Sequence, residues 1–119
     1  LERNVYMPKS VNSFFKMEML LLKIIEIGDG NYYGYQIAQK MAELSNDKIK
    51  IAEGVMYPIL YRLLDKEYIS DKKVLVGKRK TRIYYQIEPK GKEYLNELYA
   101  NYLTVNNAIL EIMGRDKDK

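Results

Sequence analysis

The feature of this sequence that most constrains its fold is a change in the spacing of apolar residues near residue 68. Before that point, one segment is densely apolar and two others carry apolar residues at intervals of three and four, the period of a helix packed on a core. Beyond it come two candidate strands, of which the second, 82–88, alternates apolar and polar residues as a half-buried strand does, and a long helical segment follows. The chain is therefore expected to be mostly α-helical, with a small β-hairpin before its last helix.

The bounds of the predicted elements follow from the turn residues and from the ends of each pattern. The first helix is dense in apolar residues all round, which predicts burial on most sides. Pro89 suits the first position of the last helix because its backbone angle is already helical. The predicted helices are 11–27, 33–44, 53–66 and 89–113, and the predicted strands are a very short one at 48–52 and the hairpin pair at 68–76 and 82–88.

Three helices, a short strand and a hairpin in this order are typical of a winged helix-turn-helix, in which the third helix enters the major groove of DNA. With 119 residues the chain can form one modest core, and neither an internal repeat nor a Gly/Ser linker divides it. We therefore predict a winged-helix domain at 11–88, a C-terminal dimerisation helix at 89–113, and tails at 1–10 and 114–119.

The residue types that are missing exclude most catalytic classes. The sequence has no Cys and no His, so it offers no thiol nucleophile, imidazole base or disulfide framework. We expect no enzyme activity, no metal and no cofactor. No apolar run approaches the ~20 residues of a membrane span. The N-terminus lacks the charged segment followed by an apolar segment that makes up a secretory signal, so a cytoplasmic protein is expected. Whether residues 1–6, which precede the first Met, are native is left open.

Cations cluster in the turn of the predicted hairpin. Lys78, Arg79 and Lys80 occupy the turn and Arg82 begins the next strand, in a chain with a net charge of +4. Cations that neutralise phosphates release counterions, so such a tip predicts DNA binding that weakens with salt. The alternative is a solvated turn kept basic for solubility. The position of the turn after a Tyr-Pro helix favours the DNA interpretation.

The third helix carries two tyrosines one turn apart, Tyr57 and Tyr61. Their hydroxyls are predicted to reach phosphates while the rings contact sugars or thymine methyl groups. Tyr57 is an equal candidate for a residue that caps the core. Arg62 is interpreted either as a phosphate contact or as the ion-pair partner of Asp65 or Glu67.

With these segments in place, the sequence resembles the PadR family of transcriptional regulators, in three motifs that occur in the family's order. They are Tyr33-Gly34-Tyr35-Gln36-Ile37 at the start of helix two, Gly54-Val55-Met56-Tyr57-Pro58 with Leu60, Arg62, Leu63 and Ile69 at helix three, and Arg82-Ile83-Tyr84-Tyr85-Gln86-Ile87 followed by Gly91. The resemblance implies a short-type member with a single C-terminal helix, which binds an inverted-repeat operator in double-stranded DNA as a dimer.

Three residues depart from the family pattern. Val55 replaces the usual Thr and removes a hydroxyl from the DNA-facing helix, and Glu67 replaces the usual Gly after that helix. Glu88 replaces the usual Thr at the start of helix four, where Glu is the poorer N-cap. Tyr35 and Tyr84 are expected mainly to pack, with a DNA backbone contact as a second role for Tyr35. The predicted DNA-binding residues are Tyr35, Val55, Tyr57, Pro58, Tyr61, Arg62, Lys78, Arg79, Lys80 and Arg82.

The last helix carries an apolar seam in which spacings of three and four alternate, the a/d pattern of a coiled coil. A core of three helices can cover only the beginning of so long a helix, so we expect a homodimer. The predicted interface residues are Leu95, Leu98, Tyr102, Val105, Ile109 and Ile112.

In short PadR members this helix meets its symmetry mate and helix one around an apolar cavity, where some members bind flat aromatic effectors against a tryptophan. Tyr102 stands at the matching place, so the resemblance implies a small aromatic effector; filling the dimer seam is the alternative role for Tyr102. The implied effector residues are Met19, Lys23, Leu95, Tyr99, Tyr102 and Asn106. The sequence thus predicts a dimeric repressor released by an aromatic or drug-like effector, and the alternative is a winged-helix protein–protein interaction module that does not bind DNA.

Overall fold

The computed structural model describes residues 13–114, with side chains from residue 16 onward. Residues 1–12 and 115–119, which include the first two positions of the predicted first helix and nearly all of both predicted tails, lie outside the described part. In chain order the elements are α1 (Ser13–Gly28), β1 (Tyr32–Tyr33), α2 (Gly34–Leu44), α3 (Glu53–Asp65), β2 (Ile69–Val76), β3 (Lys80–Ile87) and α4 (Pro89–Met113). None of the described helices is long and apolar enough to cross a bilayer.

The predicted helices and the hairpin are confirmed. The observed bounds of α2 and α3 differ from the predicted ones by one residue, and those of α4 are the same. β2 and β3 pair antiparallel, from Ile69 opposite Ile87 to Val76 opposite Lys80. The fold is a winged helix-turn-helix that is mostly α-helical, with a long last helix extending from it.

The predicted strand at 48–52 is wrong, and the third strand of the sheet lies elsewhere. The sheet order is β1-β3-β2, so the extra strand precedes α2 rather than α3. In the described part of the chain, 48–52 has no neighbouring strand to pair with. Its backbone is tied instead to the end of α2, because the Ser45 hydroxyl accepts a hydrogen bond from the Ile49 amide at 2.9 Å. The alternation that suggested a strand arises because Ile49 and Ile51 both turn partly into the core.

One hydrophobic core joins the helices to the sheet. α1 runs through it and is buried on most sides, as predicted, while α2 and α3 each contribute one face. Burying one large apolar side chain contributes about 1.5–3 kcal/mol, so these residues dominate the stability of the fold. The most completely buried side chains are Leu21, Leu22, Ile25, Ile37, Met56, Ile59, Leu60, Leu63, Ile69 and Leu98.

Near its start, at Gly91, α4 passes very close to the backbone of Tyr68. A side chain at this position would overlap the carbonyl oxygen of Tyr68 and crowd Ile87. That carbonyl is held in place because it accepts a hydrogen bond from the Glu88 amide at 2.9 Å. One turn further along α4, the Tyr94 ring stacks on the Tyr68 ring, with centroids 4.3 Å apart. Gly91 and this stack therefore fix the direction in which α4 departs from the winged-helix domain.

Two of the departures from the family pattern have visible structural consequences. Glu67, just after α3, has a left-handed φ of 63°, a conformation that costs a residue other than glycine about 1 kcal/mol. Glu88 does not cap α4, because its side chain makes no hydrogen bond to the first turn of the helix. Its carboxylate accepts a hydrogen bond from the Ser70 hydroxyl at 2.5 Å instead. The poor capping expected of Glu at this position is confirmed.

Candidate nucleic-acid interface

The wing comprises β2, β3 and the turn between them, and it is strongly cationic. Gly77 opens the turn with a φ of +78°, a conformation that favours glycine. Lys72 and Lys73, which are adjacent in β2, add to the cations of the tip. They were not among the predicted DNA-binding residues, although the sequence shows two consecutive lysines in a candidate strand. The exposed cations of the wing are Lys72, Lys73, Lys78, Arg79 and Lys80.

Arg82 is held against the sheet rather than at the tip of the wing. Its guanidinium carbon lies 4.2 Å from the centroid of the Tyr33 ring, and Tyr33 meets Tyr84 edge-to-face at 5.6 Å. Tyr84 therefore packs, as expected. A cation–π contact at an exposed site contributes about 0.5–1 kcal/mol, enough to restrict the long side chain. This positioning of Arg82 depends on β1, which the sequence did not predict.

α3 has one buried face and one exposed face. Its exposed face carries Val55, which is 56% exposed, together with Pro58 and Tyr61. An exposed helix face beside a cationic wing is the geometry of a recognition helix in winged-helix proteins. The buried residues on the opposite face are Met56, Ile59, Leu60 and Leu63.

Tyr57 lies between these two faces and packs against the start of α2. Its hydroxyl occupies the space that a side chain at residue 34 would need, so Gly34 is required there. Burial raises the pKa of the Tyr57 phenol, and the nearby Glu53 carboxylate raises it further. Of the two roles expected for Tyr57, the structure shows packing, and the phosphate contact stays a prediction.

A cleft of about 600 Å³ lies between the wing, α3 and the start of α2. Tyr35 lines it and is 53% exposed, so the expectation that this residue mainly packs is wrong. Tyr85 also lines it but is buried, and burial raises the pKa of its phenol to about 12. The aromatic and charged residues of the cleft are Tyr33, Tyr35, Tyr57, Tyr61, Tyr85, Lys80, Arg82, Glu53 and Asp71.

Arg62 forms an ion pair with Glu18, a partner other than Asp65 and Glu67, the two that the sequence suggested. Its Nη2 donates to the carboxylate of Glu18 on α1 at 3.3 Å, and the Tyr94 hydroxyl of α4 donates to the same carboxylate at 2.6 Å. Glu18 is only 4% exposed, so these two donors compensate its burial. Burial raises the pKa of the Tyr94 phenol, and the hydrogen bond to Glu18 raises it further. The Glu18 carboxylate thus links α1 to α3 through Arg62 and to α4 through Tyr94.

A second cavity, of about 490 Å³, lies between α1 and α4. Four of the six predicted effector residues line it, namely Met19, Lys23, Leu95 and Tyr99. The other two lie further along α4, where Tyr102 stacks on Tyr99 with ring centroids 6.5 Å apart. Leu20, Glu26 and Asn96 complete the lining, and sequence analysis did not select them.

The apolar seam of α4 is covered at its start and open at its end. Leu95 and Leu98 are buried in the core of their own chain, and Tyr102 is half-buried. Ile109 is about half exposed and Ile112 is 83% exposed. The second half of the helix therefore presents large apolar side chains to solvent in the single chain.

Comparisons with known proteins agree with this geometry. The model of the transcriptional regulator PadR-like family matches residues 21–97, a segment that contains all three motifs and the cleft. An uncharacterised protein of Lysinibacillus sphaericus is 32% identical over 93 residues, which cover 78% of this chain and 84% of that protein.

Solved structures are similar to the fold as a whole. A PadR-like transcriptional regulator from Bacillus cereus superposes with a TM-score of 0.68 at 25% identity, over 86% of this chain and 97% of that one. Bacillus subtilis PadR, solved in complex with operator DNA, superposes with a TM-score of 0.62 at 21% identity, over 69% of this chain and 45% of that one. With its family model matched over most of its length, this chain belongs to the PadR-like family of transcriptional regulators.

Proposed function

We propose that the protein is a DNA-binding transcriptional repressor that acts as a homodimer in the cytoplasm and has no enzymatic activity. The observation that carries this proposal is a cleft lined by Lys80 and Arg82 of the wing on one side and by Tyr57 and Tyr61 of α3 on the other, next to the exposed face of that helix. The cations attract phosphates regardless of sequence, while the helix side chains read base edges in the major groove. Arg62, which is engaged with Glu18, holds α3 in place rather than leading the contact with DNA.

Dimerisation is supported by the uncovered end of α4. The helix has 25 residues, a length of about 37 Å at 1.5 Å per residue, and the core of one chain buries only its first half. A second copy of the same helix provides the apolar surface that the seam lacks. Two wings and two copies of α3 related by a two-fold axis then match two half-sites of an inverted repeat.

Release by a small aromatic or drug-like effector is supported by the α1–α4 cavity. Its volume of about 490 Å³ suits a drug-sized molecule, and Tyr99 offers a ring on which a flat molecule can stack. The stacked Tyr102 places a second ring beside the first, toward the proposed dimer seam. A ligand held there contacts both α1 and α4, and so biases the angle between the two DNA-binding domains.

The second candidate function is a winged-helix module that contacts an acidic protein surface through the same cations. Selection from a pool of random duplexes separates the two. Repeated capture on immobilised protein is expected to enrich an inverted repeat whose half-sites are about one helical turn apart, 10–10.5 base pairs centre to centre. A pool that stays random after several rounds contradicts the repressor proposal.

A further inference from the structure

α3 contains a glycine that the fold itself does not require. At Gly54 an added Cβ would meet nothing within 4 Å, and the backbone is helical. Within a helix, glycine is less stable than alanine, so the fold gains nothing from it. Each of the other glycines has an internal reason: a side chain would collide with a neighbour at Gly28, Gly34 and Gly91, and φ is positive at Gly30, Gly77 and Gly114.

The residues around Gly54 form a contiguous apolar patch. Val55, Pro58 and Tyr61 are exposed, and their spacing along the helix places them on one side together with Gly54. Pro58 has no N–H, so it cannot give the Gly54 carbonyl the hydrogen bond that a helix normally supplies. The apolar patch of α3, defined by these four residues, therefore has bare backbone at one end and contributes nothing to the core.

Charges around the patch indicate what covers it. Lys80 and Arg82 of the wing line the cleft that Tyr61 also lines, and these cations favour a polyanionic partner. Glu53, which directly precedes Gly54 and is exposed, would repel a phosphate at this end of the helix. A partner that places phosphates at the wing and uncharged groups at the start of α3 satisfies both observations. The major groove of DNA does so, because the uncharged edges of the bases, including the methyl group of each thymine, form its floor between the two backbones.

We propose that Gly54 is the point of closest approach between α3 and the floor of the major groove, and that Val55 reads a thymine methyl group there. This inference rests on the proposed function and deepens it. A side chain at residue 54 would hold the helix away from the bases, whereas bare backbone lets the Val55 methyl groups reach them. Because Val55 has no hydroxyl, it favours a methyl-bearing base over one that offers only polar groups.

The test of Gly54 compares Gly54→Ala and Gly54→Leu with the wild type on the selected operator and on a scrambled duplex. Both variants are expected to keep the melting temperature of the wild type or exceed it, because the added side chain enters open space. Operator affinity is expected to fall about tenfold or more for alanine, the loss typical of a base contact, and further for leucine. Affinity for the scrambled duplex is expected to stay the same, because the wing still contacts phosphates.

The test of Val55 replaces the operator thymines one at a time with uracil, which lacks only the methyl group. For the wild type, one position in each half-site is expected to weaken binding about fourfold, the effect of one buried methyl group. In the Val55→Ser variant, replacing that thymine with uracil is expected not to lower operator affinity further. If every uracil operator binds the wild type as tightly as the thymine form, the role of Val55 is wrong.

A matched control is Gly34→Ala, in which the new side chain meets the Tyr57 hydroxyl and the melting temperature is expected to fall. If Gly54→Leu binds the operator as tightly as the wild type does, the role of Gly54 is wrong, while the proposed function is unaffected. A lower melting temperature in Gly54→Ala also overturns it, since the fold would then require the glycine. Failure of the wild type to bind any duplex overturns the proposed function, and this inference with it.

Discussion

Replacing both Tyr102 and Ile109 with aspartate is expected to convert the protein from a dimer to a monomer. Both residues lie on the apolar seam of α4 beyond the part that its own chain buries. Each substitution would place an unpaired carboxylate against the partner helix, and burial of an unpaired charge costs several kcal/mol. The dimer dissociation constant is therefore expected to rise by about three orders of magnitude or more. Sedimentation velocity at micromolar concentration measures the change.

The matched control places the same two charges on the opposite side of the same helix. Ala100 and Asn107 are exposed and lie away from the seam, so Ala100→Asp with Asn107→Asp is expected to leave the dimer intact. The seam variant is also expected to lose most of its affinity for the inverted repeat, because two linked half-sites bind more tightly than one. An intact dimer in the seam variant would show that subunits associate through another surface.

Replacing Lys78 and Arg79 with alanine is expected to weaken DNA binding about equally on every sequence. Both side chains are exposed at the tip of the wing, where phosphates are the available partners. If all four cations of a dimer neutralise phosphates, their loss lowers the slope of log affinity against log salt by about 3.6. Near physiological salt, about 0.15 M, this corresponds to a loss of about three orders of magnitude. Fluorescence anisotropy on operator and scrambled duplexes measures both effects.

Lys16→Ala with Lys92→Ala provides the control for the wing variant. These lysines are exposed on α1 and α4, so the control removes the same net charge from surfaces outside the wing. It is expected to bind DNA nearly as well as the wild type, and the slope of its log affinity against log salt is expected to be close to that of the wild type. Equal losses in the two variants would show that net charge, rather than the wing, controls binding.

Elements whose signal is local could be predicted from the sequence. The bounds of α4 follow from Pro89 and from the apolar period, and the faces of α3 follow from spacing alone. The cationic wing is visible because its turn and its cations are contiguous in the chain. The motif residues Tyr33, Tyr35, Tyr57, Arg82 and Tyr85, which sequence resemblance singled out, all line the cleft, although the cleft itself was not predicted.

Features that depend on distant parts of the chain could not be predicted. β1 has two residues, too few to show an alternation, and it exists only because β3 pairs with it. The Glu18 carboxylate meets Arg62 and Tyr94 from positions 44 and 76 residues away, so no local pattern indicated that Arg62 turns toward α1. The exposure of Tyr35 likewise depends on where the wing and α3 leave space.

The most direct test of DNA binding through the wing and α3 is a salt titration of the wild-type protein on the selected operator. The three exposed cations at the wing tip of each subunit, Lys78, Arg79 and Lys80, predict for a dimer a linear fall of log affinity with log salt and a slope of about −5, at about 0.9 per phosphate. A slope near zero, or no binding even at low salt by a protein that circular dichroism shows to be folded, would contradict it.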